Sequence, residues 1–593
     1  MASSDTPAGP DAGAPEPPPD GAHGLRALVR ASEVGFVLLA SLIGVFAGLC
    51  VLAMGWMTQT LHELIFRIPA GQHLSVTPDI APTLTLLGPI LGGLAFGIAS
   101  WLIFRKRSQP VDPIEANALH GGRMSLTDSL IVAVQTAVSS GVGASVGLEA
   151  GYTQAASGFA SRIGMLFHLR RADLRLLVGC AAGGAIGAAF DAPLTGAFYA
   201  FELILGSYSI AAFVPVMAAT FTATVTRRML DPSLMAATPP VVAGVGAADL
   251  PSLILLGIFC GLAGIAVMRG ATLIEAGFRR SGVPVFLRPA IGGLGVGALA
   301  LFSPAVFSAG HGAVHMYLAV EQSLPQIALL LLAKALASSV SIGSGFRGGL
   351  FFASLLLGVL AGRLFACGLA FLPWGHTADP TLYALVGMSA LAVSIVGGPM
   401  TMTLLALEMT SDLKLTLAVL GAAGAASLVT RRLFGFSFAT WRFHLRGENI
   451  RSAHDIGWLR ELTVGSLMRL EVPQVEADLE VAEARRKYPP GSTNYLVAVE
   501  ADGSYAGMVP PALLYQDEPP ATVRALLRDA ERMLLPGTTI RDALALFDEA
   551  ESETVAVVAD RESRRLIGIL SEAHAIRRYG EEVSRRNREL TGE

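Results

Sequence analysis

Apolar stretches separated by short breaks run along most of the chain, from about residue 31 to residue 432. A helix needs about 20 apolar residues to cross a membrane. The stretches with that length are 34–57, 82–104, 252–274 and one that begins at residue 327. Others are cut short by glycine or proline, among them 173–190, 193–206 and 350–362. Interrupted helices are tolerated at membrane depth where their ends are buried in protein or line a cavity. The pattern therefore predicts an α-helical polytopic membrane domain over 25–447, with several short, interrupted helices.

Two pairs of segments echo each other about two hundred residues apart. Pro193–Glu202 (PLTGAFYAFE) matches Pro399–Glu408 (PMTMTLLALE), since both read proline, threonine, an apolar helical run and glutamate. A weaker match pairs Thr136–Gly151 with Ala335–Leu350. Internal repeats, often inverted, build many transporter folds. The two matches therefore predict a duplicated membrane unit of roughly two hundred residues.

Composition narrows the class of protein. Of the 593 residues 52% are hydrophobic, 65 are glycine and only 15% are charged, whereas soluble proteins carry about a quarter of their residues as charges. This excludes a soluble globular enzyme and a wholly disordered chain. The formal net charge of −4 does not suggest a nucleic-acid binder. Each of the four cysteines is isolated in an apolar stretch, which predicts neither a disulfide framework nor a zinc site.

The charges between the apolar stretches indicate how the chain is oriented. Residues 1–24 are rich in proline and carry only acidic charges, which predicts a disordered tail rather than a signal peptide. Basic clusters at 105–107, 170–171 and 431–432 predict cytoplasmic faces. We therefore expect an integral, multi-pass protein of a bacterial-type inner or plasma membrane, with both termini in the cytoplasm.

The C-terminal part has a different composition. After a predicted linker at 448–463, frequent charges appear and two similar halves follow, at 464–516 and 523–593. Each half predicts a short apolar entry, a helix, a strand, a turn and a second strand, which contains Gly507 or Gly568. Repeated units of this kind are soluble α/β modules. They resemble a pair of CBS domains, a regulatory module appended to many transporters and enzymes.

Nucleotide binding by such a pair usually needs a serine or threonine and an aspartate after the last strand. The second half has Ser571, but His574 stands where the aspartate is expected. The first half has Pro510 and Leu513 at those positions. We therefore expect no cofactor and a structural or dimer-stabilising tail, with an ATP sensor as the alternative.

Glu149 is the one carboxylate in the glycine-rich segment Ser139–Gly158. An ionisable residue inside a membrane segment is costly and is a functional candidate by default. Flanking glycines let backbone N–H groups turn toward a ligand, and a helix beginning near Ala150 would point its positive end there. This is typical of an anion site in which Glu149 competes with a permeating ion. The alternative is that the glycines only permit close helix contacts and Glu149 is paired structurally.

Ser344–Phe352 (SGFRGGLFF) is the counterpart in the second half, again a glycine turn that opens an apolar helix. Two helix N-termini that meet at the membrane midplane would bind a dehydrated anion weakly enough to release it. Arg347 in this turn would either concentrate anions in a vestibule or form a salt bridge. His311 and His315 have no acidic or cysteine companion nearby, so we expect an exposed loop rather than a metal site.

Three ordered motifs resemble those of the CLC chloride channel and transporter family. Gly147–Gly151 (GLEAG) resembles its Gly-Arg-Glu-Gly-Pro motif, which puts Glu149 at the gating glutamate. Gly348–Ala353 (GGLFFA) is similar to Gly-Gly-Ile-Phe-Ala-Pro, and Phe190–Glu202 to the segment that begins Phe-Asn-Ala-Pro. The resemblance implies a homodimer with one pore in each protomer, and a protomer that is an inverted repeat of tilted and re-entrant helices. It also implies selective transport of chloride or another small monovalent anion. The anion-binding positions that it implies in these motifs are Gly147, Leu148, Ala150, Gly151, Gly349, Leu350, Phe351 and Phe352.

Three further anion-binding positions are implied by the resemblance, Pro110, Val111 and Ala439, and two of them depart from the family pattern. Pro110, followed by Val111, stands where the family has a serine that binds the ion, and a proline there is associated with nitrate preference. Asp112 beside them is expected to cap a helix N-terminus rather than to line the pore. Ala439 stands at the pore tyrosine, with Phe438 one residue away. Backbone amides would then supply most of the coordination.

The family's internal proton-relay glutamate aligns with Leu203, which carries no proton, and the adjacent Glu202 is the other candidate. Glu202 would serve only if its helix turned it toward the path; otherwise it is a satisfied structural carboxylate. We therefore expect channel-like passive conduction through a glutamate-gated pore, with a proton-coupled chloride or nitrate antiporter as the alternative. Two other functions are less favoured by the sequence. A CBS-regulated cation transporter would need several carboxylates facing a pore, whereas the membrane half offers few. A membrane-anchored nucleotide sensor would need the aspartates that are missing from the CBS pair.

Overall fold

The computed structural model forms two units, Met1–His454 and Asp455–Glu593. The residues that it describes are 32–105, 107, 109–231, 244–320, 322–371, 379–445, 463–493, 495–550 and 553–591. The predicted tail at 1–24 lies outside the described residues, as do Lys106 of the first basic cluster and all of the predicted linker except Thr463.

The described part of the first unit is built mainly from helices. In chain order they are α1 (Glu33–Phe66), α2 (Pro82–Phe104), α3 (Pro113–Leu119), α4 (Leu126–Gly141), α5 (Glu149–Leu166), α6 (Arg171–Phe190), α7 (Pro193–Tyr199, extended by a π-helical turn, Ala200–Leu205), α8 (Ile210–Leu230), α9 (Leu250–Arg280), α10 (Arg288–Ala300), α11 (His311–Ala319), α12 (Leu324–Gly343), α13 (Phe351–Leu369), α14 (Pro380–Val396), α15 (Pro399–Thr410), α16 (Leu413–Leu433) and α17 (Phe438–Leu445).

Eight helical segments of the described residues are long and apolar enough to cross a membrane. They are Glu33–Phe66, Pro82–Phe104, Arg171–Phe190, Ile210–Leu230, Ala247–Arg280, Leu324–Gly343, Phe351–Leu369 and Leu413–Leu445. Two stretches expected to be short, 173–190 and 350–362, lie in helices of 20 and 19 residues. That expectation was wrong because their glycines are accommodated inside the helix instead of ending it.

Much of the glycine excess serves close contact between helices. A Cβ on Gly183 of α6 would lie 2.6 Å from the carbonyl oxygen of Gly196 in α7, and a Cβ on Gly196 2.4 Å from that of Gly183. Gly358 of α13 and Gly387 of α14 have the same reciprocal relationship, at 2.4 and 2.6 Å. A side chain at any of these positions would force the backbones apart, since Cβ contacts that short do not occur.

The turns that end α4 and α12 cross each other. The backbone N–H of Ser145 donates to Ser341 Oγ at 2.9 Å, and the N–H of Arg347 donates to Ser139 Oγ at 3.1 Å. Ser139 and Ser341 both lie in the last turn of their helix, so the two contacts are equivalent. The two halves of the membrane unit are therefore held together by the same contact made twice.

The weaker of the two sequence matches has the wrong register. It would place Gly147 opposite Phe346, whereas the structure pairs Gly147 with Gly349. The true register follows the turn glycines, Gly143 (φ 91°) and Gly345 (φ 103°), which adopt the left-handed conformation that glycine favours. Serine and glycine recur so often in both segments that the sequence alone aligns them three residues out of step.

The second unit contains two small sheets. Its elements are α18 (Val464–Leu467), β1 (Gln474–Glu476), α19 (Val481–Lys487), β2 (Leu496–Val499), β3 (Tyr505–Val509), α20 (Pro511–Leu514), α21 (Ile540–Ala550), β4 (Thr554–Val558), β5 (Leu566–Ser571) and α22 (Glu572–Thr591). In the first sheet β2 pairs with β1 in parallel and with β3 antiparallel. The second sheet is the antiparallel pair β4–β5. Each sheet belongs to one of the two halves expected from sequence.

Candidate functional site

Glu149 is the first residue of α5, and its side chain reaches the first turn of α13. Its Oε1 accepts a hydrogen bond from the backbone N–H of Phe352 at 3.2 Å. Its Oε2 is buried and meets no hydrogen-bond partner among the described residues, and Glu149 is only 4% exposed. The N-terminus of a helix favours negative charge. The carboxylate therefore lies where an anion is stabilised, with one of its oxygens unsatisfied.

Gly147 and Gly349 form the frame around this carboxylate. The N–H of Gly147 donates to the carbonyl of Gly349 at 2.9 Å, and the N–H of Gly349 donates back at 3.2 Å. A Cβ on Gly147 would lie 1.9 Å from Glu149 Oε2, and one on Gly349 would lie 3.2 Å from it. Glycine is needed at 147 because any larger residue would collide with the carboxylate in this position.

Two cavities adjoin Glu149. The first, here called the Pro110 cavity, has a volume of about 510 Å³ and includes Glu149 in its lining. The second, here called the His311 cavity, has a volume of about 480 Å³ and is lined by the neighbouring Leu148 and by Phe352. The two linings share no residue. Glu149 and Phe352, joined by their hydrogen bond, therefore lie at the boundary between the cavities.

Most of the site residues predicted from sequence reach one cavity or the other. Those that line the Pro110 cavity are Pro110, Glu149, Ala150, Leu203, Gly349, Phe351 and Ala439. Those that line the His311 cavity are Leu148 and Phe352. The predicted residues that line neither are Gly147, Val111, Gly151, Leu350 and Glu202. Phe438 also lines the Pro110 cavity. The position of the family's pore tyrosine therefore falls in the lining of this cavity whether it is aligned with Ala439 or with Phe438.

The N-terminus of α3 forms another part of the Pro110 cavity. Asp112 Oδ1 accepts hydrogen bonds from the backbone N–H groups of Ile114 and Glu115, at 2.8 and 2.9 Å. The expected capping role of Asp112 is confirmed, and Asp112 also lines the cavity. Pro110 has no N–H of its own. The carbonyl of Val111 accepts a hydrogen bond from Gln154 Nε2 at 2.7 Å, so Val111 helps to position the turn.

Glu202 and Leu203 differ in their surroundings. Glu202 Oε1 accepts from the N–H of Met400 at 2.9 Å, and its Oε2 accepts from the N–H and the hydroxyl of Thr401 at 2.8 and 2.6 Å. The helix does not turn Glu202 toward either cavity. Leu203 does line the Pro110 cavity and presents an apolar surface there.

Several polar residues of the Pro110 cavity were missed by the sequence reasoning, among them Tyr199, Glu275, Arg279 and Arg442. Arg347, which was considered, also lines it, and its guanidinium lies 5.6 Å from the centre of the Phe104 ring. Glu275 and Arg279 are four residues apart on α9 and so share one face. This four-residue spacing is the sequence pattern that links Glu275 with Arg279. Only the fold shows that the face of α9 that carries them lines the Pro110 cavity.

His311 lies in a different setting from the one expected. It is the first residue of α11 rather than part of a loop, and its ring stacks on Phe352 with centroids 3.7 Å apart. The loop expectation is wrong because Gly310, at φ 88°, ends the loop one residue earlier. Within the described residues, no group of three or more histidine, cysteine, aspartate or glutamate side chains could hold a metal ion.

The residues considered for nucleotide binding lie near the ends of strands in the second unit. Ser571 is the last residue of β5, and His574 is in the first turn of α22. His574 Nδ1 is 3.2 Å from Arg577 Nη2. Partial burial lowers the pKa of His574, and the nearby Arg469, Arg577 and Arg578 lower it further. A neutral imidazole therefore stands at the position where nucleotide binding usually has a carboxylate.

Comparison with known proteins identifies the fold and the family. Residues 92–431 match the family model described as voltage gated chloride channel. The chain belongs to this family. Residues 523–581 match the CBS domain model. The family and the fold class predicted from sequence, an integral multi-pass helical membrane protein with C-terminal CBS domains, are confirmed.

Among its relatives is a putative chloride channel protein, ClcB-like, of Ralstonia nicotianae. It is 30% identical over 418 residues, which are 67% of this chain and 96% of the relative. The fold is similar to that of a slow cyanobacterial Cl⁻/H⁺ antiporter, with a TM-score of 0.60, 23% identity and coverage of 69% of this chain and 97% of the other. It is also similar to a eukaryotic CLC transporter, with a TM-score of 0.56, 18% identity and coverage of 93% and 98%.

Proposed function

We propose that this chain transports small monovalent anions of the chloride class across a membrane, through a pathway gated by Glu149. The observation that carries the proposal is the hydrogen bond from the Phe352 N–H to Glu149 Oε1. The carboxylate stands in for the permeating anion at the start of α13. When the carboxylate leaves, an anion would accept the hydrogen bond from the Phe352 N–H and be stabilised by the positive end of the α13 dipole.

Family membership supports this proposal. The family model is that of voltage gated chloride channels, and the relative from Ralstonia nicotianae is named a putative chloride channel protein. The unsatisfied Oε2 of Glu149 supports the gating step, because an ionised carboxylate that is only half paired is held weakly. Protonation would remove the charge that the site stabilises and would favour departure of the side chain.

The arginines of the Pro110 cavity support its use by anions. Arg279, Arg347 and Arg442 line it together with the acidic residues Asp112 and Glu275. Charged groups that line a cleft raise the local concentration of ions of opposite sign. Of the two roles considered for Arg347, we propose the concentration of anions. Binding at backbone N–H groups without a fixed cation in contact keeps the anion loosely held, as rapid transport requires.

Passive conduction is the form of transport that we propose. The residue of the Pro110 cavity that aligns with the family's proton relay is Leu203, which has no proton to exchange. Glu202 accepts three hydrogen bonds and lines neither cavity, which supports a structural role for it. Protons would then affect gating at Glu149 without being carried in a fixed ratio to anions.

Proton-coupled antiport is the second candidate, and Glu275 favours it. Glu275 lines the same cavity as Glu149, so its carboxylate would be able to receive a proton on the way to Glu149. The cyanobacterial protein of similar fold is named as a Cl⁻/H⁺ antiporter. In this alternative the anion would be chloride or nitrate, and Glu275→Gln would abolish proton movement while anion efflux continued.

The assembly is proposed from the same resemblance. Two protomers would form a homodimer, each with its own pathway, and membrane lipid would cover apolar side chains such as Leu38, Leu42 and Trp56 of α1, which are 59 to 73% exposed. Both termini would lie in the cytoplasm. The second unit would stabilise the dimer without binding a nucleotide, because His574 replaces the expected aspartate.

Anion efflux from liposomes tests the gate. The purified full chain is reconstituted, and chloride efflux is measured between about pH 4 and 8 for the wild type, Glu149→Gln and Glu149→Ala. We expect efflux by the wild type to rise as the pH falls, and efflux by both variants to be constitutive and independent of pH. Glu63→Gln is the matched control. Glu63 accepts hydrogen bonds from Gln59 Nε2 and from the Gly71 N–H, and it lines neither cavity.

Two outcomes would overturn parts of the proposal. Unchanged pH dependence in both Glu149 variants would remove Glu149 from the gate. Proton uptake into the liposomes against a proton gradient, driven by chloride, would replace passive conduction by antiport. Parallel measurements with nitrate and fluoride would establish which anion is preferred.

A further inference from the structure

Tyr199 is the last residue of α7 and contributes a phenol to the Pro110 cavity. Its ring lies 6.1 Å from that of Phe351, the first residue of α13, measured between centroids. The residue is partly exposed. Its hydroxyl makes no hydrogen bond to any described residue. Tyr199 therefore brings an uncommitted O–H donor to the wall that surrounds Glu149.

Three other neutral side chains that line this cavity already donate hydrogen bonds within the protein. The hydroxyl of Thr136 donates to the carbonyl of Val132 at 2.8 Å, and the hydroxyl of Thr153 donates to that of Glu149 at 2.7 Å. Gln154 Nε2 donates to the carbonyl of Val111 at 2.7 Å. These groups are therefore not free to bind an ion. Unlike these three side chains, Tyr199 keeps its donor available.

The remaining positions where a side-chain donor was expected are apolar. Pro110 has neither a hydroxyl nor a backbone N–H, and Ala439 has no donor on its side chain. Both line the same cavity as Tyr199. An anion that entered from this cavity would meet apolar groups at these two places. The phenol of Tyr199 is placed to supply what they lack.

We infer that the Tyr199 hydroxyl donates a hydrogen bond to the permeating anion when Glu149 is displaced from the start of α13. The ligand is a small monovalent anion with a hydrogen-bond-accepting surface, such as chloride or nitrate. The inference rests on the proposed function, since it assigns a further binding residue to the same pathway. It makes the site a combination of the Phe352 N–H and one neutral hydroxyl.

The chemistry of a phenol suits this task. A hydrogen bond to a charged partner is stronger than one between neutral groups, and more so in a site shielded from water. A neutral donor adds this attraction without a fixed positive charge that would trap the ion. The carboxylate of Asp112 interacts electrostatically with Tyr199 and opposes anion binding. Asp112 Oδ1 already accepts hydrogen bonds from two backbone N–H groups of α3, which partly neutralise its charge. The Tyr199 hydroxyl would offset the remaining repulsion between Asp112 and the anion.

Binding measurements on the full chain in detergent test the inference. Chloride and nitrate are titrated calorimetrically into Glu149→Ala and into the double variant Glu149→Ala/Tyr199→Phe. Phenylalanine keeps the ring packed on Phe351 and removes only the hydroxyl. We expect the double variant to bind both anions at least about tenfold more weakly, as loss of one charge-assisted hydrogen bond predicts. Tyr317→Phe in the same background is the control, because Tyr317 lines neither cavity.

A third variant asks whether a phenol at another wall position compensates. Ala439→Tyr, added to the double variant, introduces a hydroxyl into the same cavity and should recover part of the lost affinity. A purely structural role of Tyr199 predicts no recovery. It also predicts lower thermal stability of the double variant, whereas we expect its melting temperature to match that of Glu149→Ala.

The failure of the inference is distinguishable from failure of the proposed function. If Glu149→Ala binds anions but Tyr199→Phe leaves the affinity unchanged in that background, Tyr199 is not a binding residue and the gate proposal stands. If Glu149→Ala binds neither anion and shows no efflux from liposomes, the proposed function itself is wrong. An equal loss of affinity in Tyr317→Phe would mean that removal of a phenol acts through the fold and would overturn the inference.

Discussion

Glu202 and Glu408 hold the start of each other's helical segment by the same set of hydrogen bonds. Glu202 accepts from the N–H and the hydroxyl of Thr401 in the first turn of α15, at 2.8 and 2.6 Å. Glu408, near the end of α15, accepts from the N–H and the hydroxyl of Thr195 in the first turn of α7, also at 2.8 and 2.6 Å. The two segments that echo each other in sequence therefore form a reciprocal pair of caps.

Replacing either glutamate by glutamine should lower stability by a similar amount. Hydrogen bonds to a charged group contribute about 1.5–3 kcal/mol, and the glutamine NH₂ would face a backbone N–H. We expect Glu202→Gln and Glu408→Gln to lower the melting temperature in detergent, followed by tryptophan fluorescence, while the pH dependence of anion efflux stays that of the wild type. Altered proton movement in Glu202→Gln alone would instead assign a relay role to Glu202.

Gly147→Ala should weaken gating because the new Cβ would lie 1.9 Å from Glu149 Oε2. The carboxylate would have to leave the Phe352 N–H, so the variant should resemble Glu149→Gln. We expect the pH dependence of chloride efflux to flatten, whatever the absolute rate. Gly349→Ala is the matched variant, since its Cβ would lie 3.2 Å from the same oxygen and should have a smaller effect. Full pH dependence in a folded Gly147→Ala protein would contradict this geometry.

Parts of the site could be predicted from sequence because they depend on local patterns. A carboxylate among glycines at the start of an apolar helix identified Glu149, and the equivalent glycine turn identified the start of α13 at Phe351. Tyr199 could not be recognised in this way. Its role depends on which neighbouring hydroxyls are already committed to helix carbonyls, and that information exists only once α3, α5 and α7 are packed around one cavity.

Long-range contacts explain the other differences between sequence and structure. The register of the repeat is set by the turns that cross at Gly147 and Gly349, not by residue identity along each segment. Glu202 and Leu203 are adjacent in sequence. The Glu202 carboxylate accepts hydrogen bonds from the first turn of α15, whereas Leu203 lines the Pro110 cavity. Glu202 and Leu203 therefore have different surroundings because α15, about two hundred residues further along the chain, packs against Glu202.

Lys334 should be important for the stability of the segment that leads into α11. It is fully buried in α12, and its Nζ donates to the carbonyls of Val306 and Ser308 at 3.1 and 2.8 Å. Lys334→Met keeps the chain length but leaves these buried carbonyls without that donor, at a cost of about 1–3 kcal/mol for each unsatisfied group. We expect a lower melting temperature in detergent. Lys414→Met, at an exposed position of α16, is the control and should melt like the wild type.

The exposed network around Arg524 in the second unit should make that unit sensitive to acid. Arg524 Nε lies 2.6 Å from Asp478 Oδ1, and its Nη2 lies 2.7 Å from Glu500 Oε2. Hydrogen bonds from Arg524 lower the pKa of both carboxyl groups. Because their pKa is lower in the folded than in the unfolded chain, their contribution to stability is present above about pH 4 and is lost as the pH falls through the folded values.

Arg524→Gln should therefore loosen residues 474–500 at neutral pH and have little effect in acid. Hydrogen exchange of the full chain, read by mass spectrometry on peptides from this region, measures the difference between variant and wild type. We expect faster exchange in the variant at pH 7 and convergence of the two below about pH 4. Arg486→Gln, an exposed arginine of α19 without an ion pair in the described part of the unit, is the control. A difference that persisted unchanged below pH 4 would show that Arg524 acts through packing rather than through its carboxylate partners.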